Sequence, residues 1–328
     1  MMDGNGKRTE THGQDGRAPF LAAPGRRVLA VRGGALGDFI LTLPALNALR
    51  EGGYAVELMT RPAYGRLALE AGLVSGWRSL DSPEAALLMV RGAGIGVEWR
   101  EWLSGFDAVV SWVPDADGAF RSQVLSCGAG GFYQGDGRCG GSGPAALQLA
   151  QAVAFTRREV LGINDLFARG ESLVKGSPPR IAFHPGSGSA RKNWPLERWV
   201  EVMKFPSGMN PETTWLVITG EVEEERLPRI AASLNGAGVR WESAHALDLT
   251  TLCDRLRHCC VLLGHDSGVS HLAAACGVPC RLLFGPTDPS VWAPLGHDVE
   301  SLTVPGGNLN NLQPEEVIEW LGRIPFAG

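Results

Sequence analysis

Residues 27–38, Arg-Val-Leu-Ala-Val-Arg-Gly-Gly-Ala-Leu-Gly-Asp, decide the fold class of the chain. A β-rich apolar run leads through a glycine turn into an apolar helical pattern that ends near Arg50. The pattern restarts at residues 180–184, Arg-Ile-Ala-Phe-His, followed by a Gly/Ser loop and a helix whose first-turn Pro195 needs no N–H partner. Two such strand-loop-helix openings predict two α/β halves of similar size.

Further strand and helix patterns alternate along both halves. Strands are predicted at residues 55–59, 107–113, 214–219, 261–264 and 281–284, and helices at residues 64–71, 83–91, 145–161, 222–235, 249–258, 267–276 and 314–321. This alternation is typical of parallel sheets. We therefore expect an α/β protein with two doubly wound, Rossmann-like domains that face a cleft, which is the default place for a ligand.

Composition predicts the domain boundaries. Residues 1–24 are polar and Gly-rich, lack the apolar region of a signal peptide, and are expected to form a disordered tail. We expect the first domain at residues 25–162, a linker at 163–179 and the second domain at 180–328. Within the first domain, residues 128–143 are Gly-rich without periodicity, which predicts a long mobile loop.

The overall composition excludes several classes of protein. The chain has 328 residues, of which 44% are hydrophobic and 20% charged, and no apolar run approaches the ~18 residues of a membrane helix. Its formal net charge is −5 without a basic stripe, so no nucleic-acid partner is expected. None of the seven cysteines forms a C-x2-C pair, which favours reduced thiols over a zinc site. We expect a soluble, cytoplasmic protein.

The glycine turn between Gly33 and Asp38 is the first segment that can carry chemistry. Gly34 and Gly37 fit the dinucleotide fingerprint G-x-G-x-x-G, but Arg32 stands at its first position and no acidic residue closes the second strand. A nicotinamide cofactor is therefore not expected. Asp38 follows the carboxyl end of a strand, where reacting groups collect in open α/β folds. It either caps the helix or acts as a general base, and residue type alone leaves both open.

The Gly/Ser loop of the second half, His-Pro-Gly-Ser-Gly-Ser-Ala-Arg-Lys-Asn-Trp-Pro, is the second such segment. Small residues with free N–H groups, including Ser187 and Gly188, and two cations make a plausible phosphate cradle. Arg191 and Asn193 stand where a Walker A loop has Gly and Ser/Thr, which disfavours a magnesium-nucleotide hydrolase. Lys192, one of only four lysines in the chain, either meets a phosphate or is a solvated surface residue.

The third segment is Gly-His-Asp-Ser-Gly-Val-Ser-His-Leu-Ala-Ala-Ala-Cys-Gly-Val-Pro at residues 264–279. Ser267 and Gly268 fall at a predicted helix N-terminus, where unpaired N–H groups and the positive end of the helix dipole suit a diphosphate. His271 follows one turn later on the same face. Asp266 is predicted to be the N-cap that fixes this anion-binding loop. Because the G-x-S-x-G nucleophile elbow is absent, acyl transfer is not expected.

Two further loops contain polar side chains. Thr287 and Asp288 follow the strand at residues 281–284 and leave the same sheet edge as the third segment, so they can reach the same ligand. Asp115 and Asp117 form a D-x-D pair similar to the metal site of single-domain sugar transferases. Two carboxylates in a loop are far more often turn residues, so no metal site is predicted.

Together these segments resemble the ADP-heptose:lipopolysaccharide heptosyltransferases, glycosyltransferase family 9, which have the GT-B fold. The likeness covers most of residues 26–324 and is strongest at residues 32–50, 184–199 and 264–294. By that resemblance Asp38 matches the proposed general base. The positions around the donor's diphosphate and sugar are matched by Lys192, Ser187, Asp266, Ser267, Gly268 and His271.

The resemblance implies an inverting, metal-independent glycosyltransferase without a cofactor. A heptose or related sugar would move from an ADP-linked co-substrate on the second domain to a hydroxyl of a lipid-linked lipopolysaccharide-core glycan on the first. Asp38 would take the acceptor proton, while Lys192 and the helix end at Ser267 stabilise the leaving diphosphate. Glu223, or Glu221 in another register, would match a glutamate near the nucleoside. Contact with the inner membrane would be peripheral.

Two other functions remain open because the acceptor side departs from the family pattern. Members often carry Asp-Leu-Gln after the strand predicted to begin at Asp107, where this chain has Ser-Trp-Val-Pro at residues 111–114. A nucleotide-sugar epimerase of the same architecture would need no acceptor. A non-catalytic nucleotide- or glycan-binding protein would bind ADP without turnover.

Overall fold

The structure, a computed structural model, describes residues 25–153, Phe167 and residues 178–322. The expected tail at residues 1–24 lies outside the described residues. The expected linker at residues 163–179 also lies outside them, apart from Phe167 and its last two residues.

The described residues divide into two units. Residues 25–34 and 42–153 form the first unit, and residues 35–41 and 178–322 belong to the second. The first helix, α1 (Leu36–Ile40), therefore belongs to the second unit, although the chain on both sides of it belongs to the first.

The first unit is built on a parallel sheet of five strands. Its strands are β1 (Arg27–Val31), β2 (Ala55–Thr60), β3 (Gly76–Ser79), β4 (Ala108–Ser111) and β5 (Phe132–Gln134). Its helices are α2 (Leu43–Glu51), α3 (Pro62–Glu70), α4 (Pro83–Leu88), α5 (Val97–Ser104), α6 (Ala119–Ser126) and α7 (Ala145–Ala150). The strand order is β3-β2-β1-β4-β5, and the apolar residues of β1 are fully buried between the helical layers.

The second unit is built on a parallel sheet of six strands. Its strands are β6 (Arg180–Phe183), β7 (Thr214–Thr219), β8 (Trp241–His245), β9 (Val261–His265), β10 (Cys280–Phe284) and β11 (Val299–Thr303). Besides α1, its helices are α8 (Leu196–Met209), α9 (Leu227–Gly236), α10 (Leu249–Arg257), α11 (Gly268–Ala275), α12 (Pro289–Trp292) and α13 (Pro314–Leu321). The strand order is β11-β10-β9-β6-β7-β8.

Both sheets are doubly wound, as the sequence predicts. In each sheet the chain builds outward from one central strand, then returns to the centre and builds in the other direction. The direction changes between β1 and β4 in the first unit and between β6 and β9 in the second. Ligands of open α/β sheets bind outside the carboxyl ends of the strands at such a switch point. In the second unit, this is the place where β6 and β9 deliver their following loops.

A cluster of aromatic rings underlies that switch point. Trp194, Trp199 and Trp215 are fully buried around Phe183, the last residue of β6. Neighbouring rings pack edge to face or tilted, with centroids 5.1 to 6.4 Å apart. Such pairs contribute about 0.5–1.5 kcal/mol each beyond the burial of their area, so they stabilise the base of the loop that follows β6.

The long loop predicted at residues 128–143 is interrupted by one short strand. This stretch contains β5 and is held by two glutamine side chains. Gln134 Nε2 donates to the carbonyl of Ser111 at 3.0 Å, and Gln148 binds both the N–H and the carbonyl of Gly141 at 2.7 and 3.0 Å. Hydrogen bonds from side-chain amides therefore hold a segment that has no periodic hydrophobic pattern.

Three predicted helices have other limits. The predicted helix up to Arg50 is two helices, α1 and α2, and Pro44 lies in the first turn of α2, where its missing N–H leaves no hydrogen bond unmade. The predicted helix at residues 222–235 begins as a 3-10 turn (Glu221–Arg226) before α9. The predicted helix at residues 145–161 is described only as α7 and a 3-10 turn, and residues 154–161 lie outside the described residues.

All seven cysteines lie within the described ranges as thiols, and six of them are buried. Among the helices of the described residues, none has the length and apolar character that crossing a membrane requires.

Candidate active site of the second unit

An ion pair occupies the switch point of the second sheet. Lys192 lies in the loop after β6 and Asp266 directly follows β9. Lys192 Nζ is 2.6 Å from Asp266 Oδ2, and the two side chains are 27% and 8% exposed. The lysine is therefore not a solvated surface residue: one side of its ammonium group is bound, while the side chain still reaches solvent.

Thr287 completes this arrangement from the neighbouring strand. It lies in the loop after β10, and its Oγ1 donates to Asp266 Oδ2 at 2.8 Å. The prediction that Asp266 is the helix N-cap is wrong. Ser267 is the N-cap of α11 and its Oγ accepts from the N–H of Ser270 at 3.3 Å, whereas the Asp266 carboxylate is drawn to the Lys192 ammonium and the Thr287 hydroxyl.

His271 lies one helical turn into α11, as its spacing from Ser267 predicts. Its backbone N–H donates to the Ser267 carbonyl at 3.2 Å, and its Nε2 is 4.0 Å from Asp266 Oδ1. Burial lowers the pKa of His271 to about 4, although the carboxylates of Asp266 and Asp38 act in the opposite direction. The imidazole is therefore neutral near neutral pH, and it can exchange hydrogen bonds with a ligand without adding a charge.

Asp38 reaches the same site because α1 packs on α11 through two glycines. A Cβ on Gly37 would lie 3.5 Å from His271 Cδ2, and a Cβ on Gly268 would lie only 2.8 Å from Leu36 Cβ. This backbone-to-backbone contact requires a glycine at Gly268. It is also why Asp38, expected in the first domain, belongs to the second unit.

The structure confirms the capping interpretation of Asp38. Its Oδ2 accepts from the backbone N–H of Ala35 at 2.9 Å, which satisfies a donor at the start of α1. The residue is only half-buried, and its charge acts on His271. Capping does not exclude the general-base role, because a carboxylate has a second oxygen.

Glu223 lies beside the Gly/Ser loop, at the end of the adjacent strand β7. Its Oε2 accepts from the N–H of Gly220 at 2.8 Å, and only 5% of the residue is exposed. A Cβ on Gly186 would lie 2.1 Å from Glu223 Oε1, so this approach also requires a glycine. Of the two registers that the sequence allows, Glu223 is buried in the site region and Glu221 is exposed.

Ser187 and Gly188 form the tip of the loop. Ser187 Oγ is 2.6 Å from Asn193 Oδ1, to which it can donate, so the hydroxyl helps to close the loop. Gly188 is exposed, and a Cβ there would meet nothing within 4 Å, which leaves its backbone open to a ligand. A cavity of about 360 Å³ adjoins the loop, and its polar lining includes Arg191 and Asn193.

The D-x-D pair has a structural role. Asp115 accepts from the backbone N–H groups of Phe120 and Arg121 at 3.0 and 2.9 Å, and Asp117 accepts from Ala119 at 3.2 Å. Both carboxylates therefore satisfy donors at the N-terminus of α6.

Sequence reasoning missed one polar residue of the site. His265 ends β9, immediately before Asp266, and is completely buried. The available signal was an imidazole at the end of an otherwise apolar strand, Val-Leu-Leu-Gly-His, where a buried polar group needs a partner.

A model of glycosyltransferase family 9 (heptosyltransferase) matches residues 150–319, just over half of the chain. The chain belongs to glycosyltransferase family 9. The match includes the loop of Lys192, the 3-10 turn of Glu223 and the segment from Asp266 to Thr287. The family places the protein among the glycosyltransferases, in agreement with the sequence motifs.

Related proteins and structures agree with this family. The chain is 28% identical over 303 residues to lipopolysaccharide heptosyltransferase 1 of Pseudomonas aeruginosa. The aligned region covers 80% of this chain and 79% of the relative. The structure of E. coli heptosyltransferase WaaC with ADP matches with a TM-score of 0.68 at 19% identity, covering 90% of this chain and 99% of that one. E. coli ADP-heptose lps heptosyltransferase II matches with a TM-score of 0.70 at 18% identity, covering 90% and 98%.

The structural likenesses confirm the fold class predicted for this family 9 glycosyltransferase. It is an α/β protein of the GT-B class with two Rossmann-like units. The predicted site residues all lie in the second unit, where the structure brings Asp38, Lys192, Asp266, His271 and Thr287 together.

Proposed function

We propose that the enzyme is an inverting glycosyltransferase that moves a heptose from an ADP-linked donor to a hydroxyl of a lipopolysaccharide-core glycan. The observation that carries the proposal is the Lys192–Asp266–Thr287 cluster at the switch point, beside the N-terminus of α11 and next to Asp38. The P. aeruginosa relative is a lipopolysaccharide heptosyltransferase. A WaaC structure with ADP-2-deoxy-2-fluoro heptose, at a TM-score of 0.63, supports the same donor chemistry.

The donor's diphosphate would lie between Lys192 and the start of α11. Lys192 offers a positive charge, and the first N–H groups after Ser267 have no partner within the helix. Gly188 leaves room for a close approach of phosphate to the loop backbone. Glu223, buried behind the loop, would hold the nucleoside side of the donor.

The reaction needs a proton acceptor and a stabilised leaving group. The acceptor hydroxyl would attack C1 of the sugar on the face opposite the diphosphate, and its proton would pass to the Asp38 carboxylate. The C1–O bond would break as ADP leaves, so the configuration at C1 inverts. Lys192 would offset the charge that develops on the diphosphate, while the neutral His271 contacts the sugar without disturbing that balance.

The acceptor is proposed to bind the first unit and to be lipid-linked, so the enzyme would work in the cytoplasm at the surface of the inner membrane. The Ser-Trp-Val-Pro stretch at residues 111–114 follows the switch point of the first sheet, where an acceptor site is expected. Its difference from the usual family pattern makes it the region where a distinct acceptor preference would arise.

Transfer can be tested with purified enzyme, ADP-heptose and a lipopolysaccharide-core acceptor that lacks heptose. The proposal expects release of ADP that depends on the acceptor, together with a product heavier by one heptose. Conversion of the ADP-sugar without an acceptor would instead indicate an epimerase. Tight binding of ADP with no turnover on any acceptor would indicate a binding protein.

We expect transfer to continue at full rate in excess EDTA. A lysine and a helix N-terminus can stabilise the diphosphate without a metal. Within the described parts of the chain, no three His, Cys, Asp or Glu side chains come together as metal ligands do, and Asp115 and Asp117 are engaged in capping. Loss of activity in EDTA that Mg²⁺ or Mn²⁺ restores would contradict this prediction.

A further inference from the structure

His265 connects the two halves of the ion pair. Its Nε2 accepts two hydrogen bonds, from the backbone N–H of Trp194 at 2.8 Å and from the indole N–H of Trp199 at 3.2 Å. Along the chain, Trp194 lies two residues after Lys192, and His265 lies one residue before Asp266. The histidine therefore joins the Lys192 loop to the strand that delivers Asp266.

The two hydrogen bonds to Nε2 determine which nitrogen of the imidazole carries the proton. A nitrogen that accepts hydrogen bonds must carry a lone pair, so the proton of the neutral ring is on Nδ1. His265 is completely buried, and this burial lowers its pKa to about 3. Its ring is therefore neutral near neutral pH, and Nε2 keeps the lone pair that accepts the two hydrogen bonds.

This connection closes the end of a loop that is otherwise held mainly at its start. The β6–β9 ladder ends with Phe183 opposite Leu263, and the last backbone link from the start of the loop runs from His184 N–H to the Leu263 carbonyl. The backbone N–H of Lys192 bonds within the loop, to the Ser189 carbonyl at 3.0 Å. After Lys192 the loop is fixed again at Trp194, whose backbone N–H donates to His265 Nε2 and whose indole N–H donates to the Leu312 carbonyl at 3.2 Å. Of these two links, the one through Nε2 leads to the strand that delivers Asp266.

We propose that His265 is a positioning residue that holds Lys192 in place against Asp266. The proposal rests on the proposed function, in which Lys192 stabilises the leaving diphosphate. A displacement of about 1 Å in such a group can cost about 10²-fold in rate. His265 would thus affect transfer through Lys192, without contact with the donor.

The test compares two amides at this position. In His265→Gln, the side-chain oxygen extends to about the position of Nε2 and can still accept from Trp194, whereas in His265→Asn it ends one bond short. We expect His265→Asn to lower kcat by about 10–100-fold and His265→Gln to stay within about 3-fold of the wild type. The matched control is Trp199→Phe, which removes the other donor to the same nitrogen and should also stay within about 3-fold.

A merely structural role is distinguished by combining variants. If His265 acts through Lys192, then His265→Asn introduced into Lys192→Ala should change kcat by less than about 2-fold. If it lowers kcat there as much as in the wild type, or if the Gln and Asn variants lose activity equally, the proposal is overturned. Melting temperatures of all variants show whether a loss follows unfolding.

A second measurement does not depend on transfer. In a crystal structure of His265→Asn, the proposal expects the Lys192 Nζ to Asp266 Oδ2 separation to exceed the ~4 Å of an ion pair, and in His265→Gln to remain within it. An unchanged separation in His265→Asn contradicts the positioning role. A wild-type enzyme without transferase activity would contradict the proposed function, while this structural comparison would still decide the role of His265.

Discussion

Asp38→Asn is expected to lower the rate of sugar transfer by about 10²–10⁴-fold with little change in melting temperature. Asp38 is the third residue of α1 and bonds back to the N-cap residue Ala35, and the side-chain oxygen of asparagine can still accept from the Ala35 N–H. A general base, in contrast, loses its proton acceptor on amidation. One substitution therefore separates the observed capping contact from the proposed general-base role.

The position of Asp38 in the second unit adds a further expectation. Its charge acts on His271, which also faces Asp266, so Asp38 lies near the region assigned to the donor's diphosphate. Removing a negative charge there should leave ADP affinity unchanged or slightly improved, as calorimetry can measure. A collapse of transfer together with retained ADP binding would locate the defect in the chemical step.

Asp248→Asn is a control for amidation of a capping carboxylate far from the site. Asp248 is the N-cap of α10, accepts from the Thr251 N–H at 3.0 Å, and is exposed. This variant should leave both transfer and melting temperature nearly unchanged. Near-normal transfer in Asp38→Asn would refute the general-base role and leave Asp38 as a cap.

The sequence predicts the central strands of both sheets much better than their edges. β1, β2, β4, β6, β7, β9 and β10 are all anticipated within one or two residues, because strands buried on both faces are continuous apolar runs. The four unanticipated strands, β3, β5, β8 and β11, are the edge strands of the two sheets. They are short or polar, such as Trp-Glu-Ser-Ala-His in β8, because one side of an edge strand is not covered by another strand.

The sequence predicts which residues form the candidate site, but not which of them bind one another. Strand ends and helix starts identify the loops of Lys192, Asp266 and Thr287, since carboxyl ends of parallel strands share one edge. Sequence spacing does not show that Asp266 binds Lys192 and that Ser267 caps the helix. Nor does it show that α1 packs on α11, because this contact depends on the absence of a side chain at Gly268.

Lys192→Ala is expected to lower kcat by about 10²-fold or more, the effect of deleting one electrostatic stabiliser. Lys192→Arg should restore only part of the rate, because a planar guanidinium differs from the compact ammonium in shape and reach. Lys204→Ala is the matched control: Lys204 is exposed, pairs with Glu201 on α8, and should have no effect. A change in kcat/KM of less than about 2-fold in Lys192→Ala would mean that the lysine has no part in the reaction.

The ion pair with Asp266 makes the cause of this loss testable. Two side chains, Lys192 and Thr287, bind Asp266 Oδ2, and in Lys192→Ala only the Thr287 hydroxyl remains. The negative charge of Asp266 would then repel a diphosphate. If repulsion were the main cause, adding Asp266→Asn to Lys192→Ala would restore most of the rate. We expect the double variant to stay at least about 10²-fold below the wild type, because amidation removes the repulsion without replacing the stabilising charge. Kinetics of the two single variants and the double variant, with melting temperatures for each, thus separate loss of stabilisation from an uncompensated carboxylate.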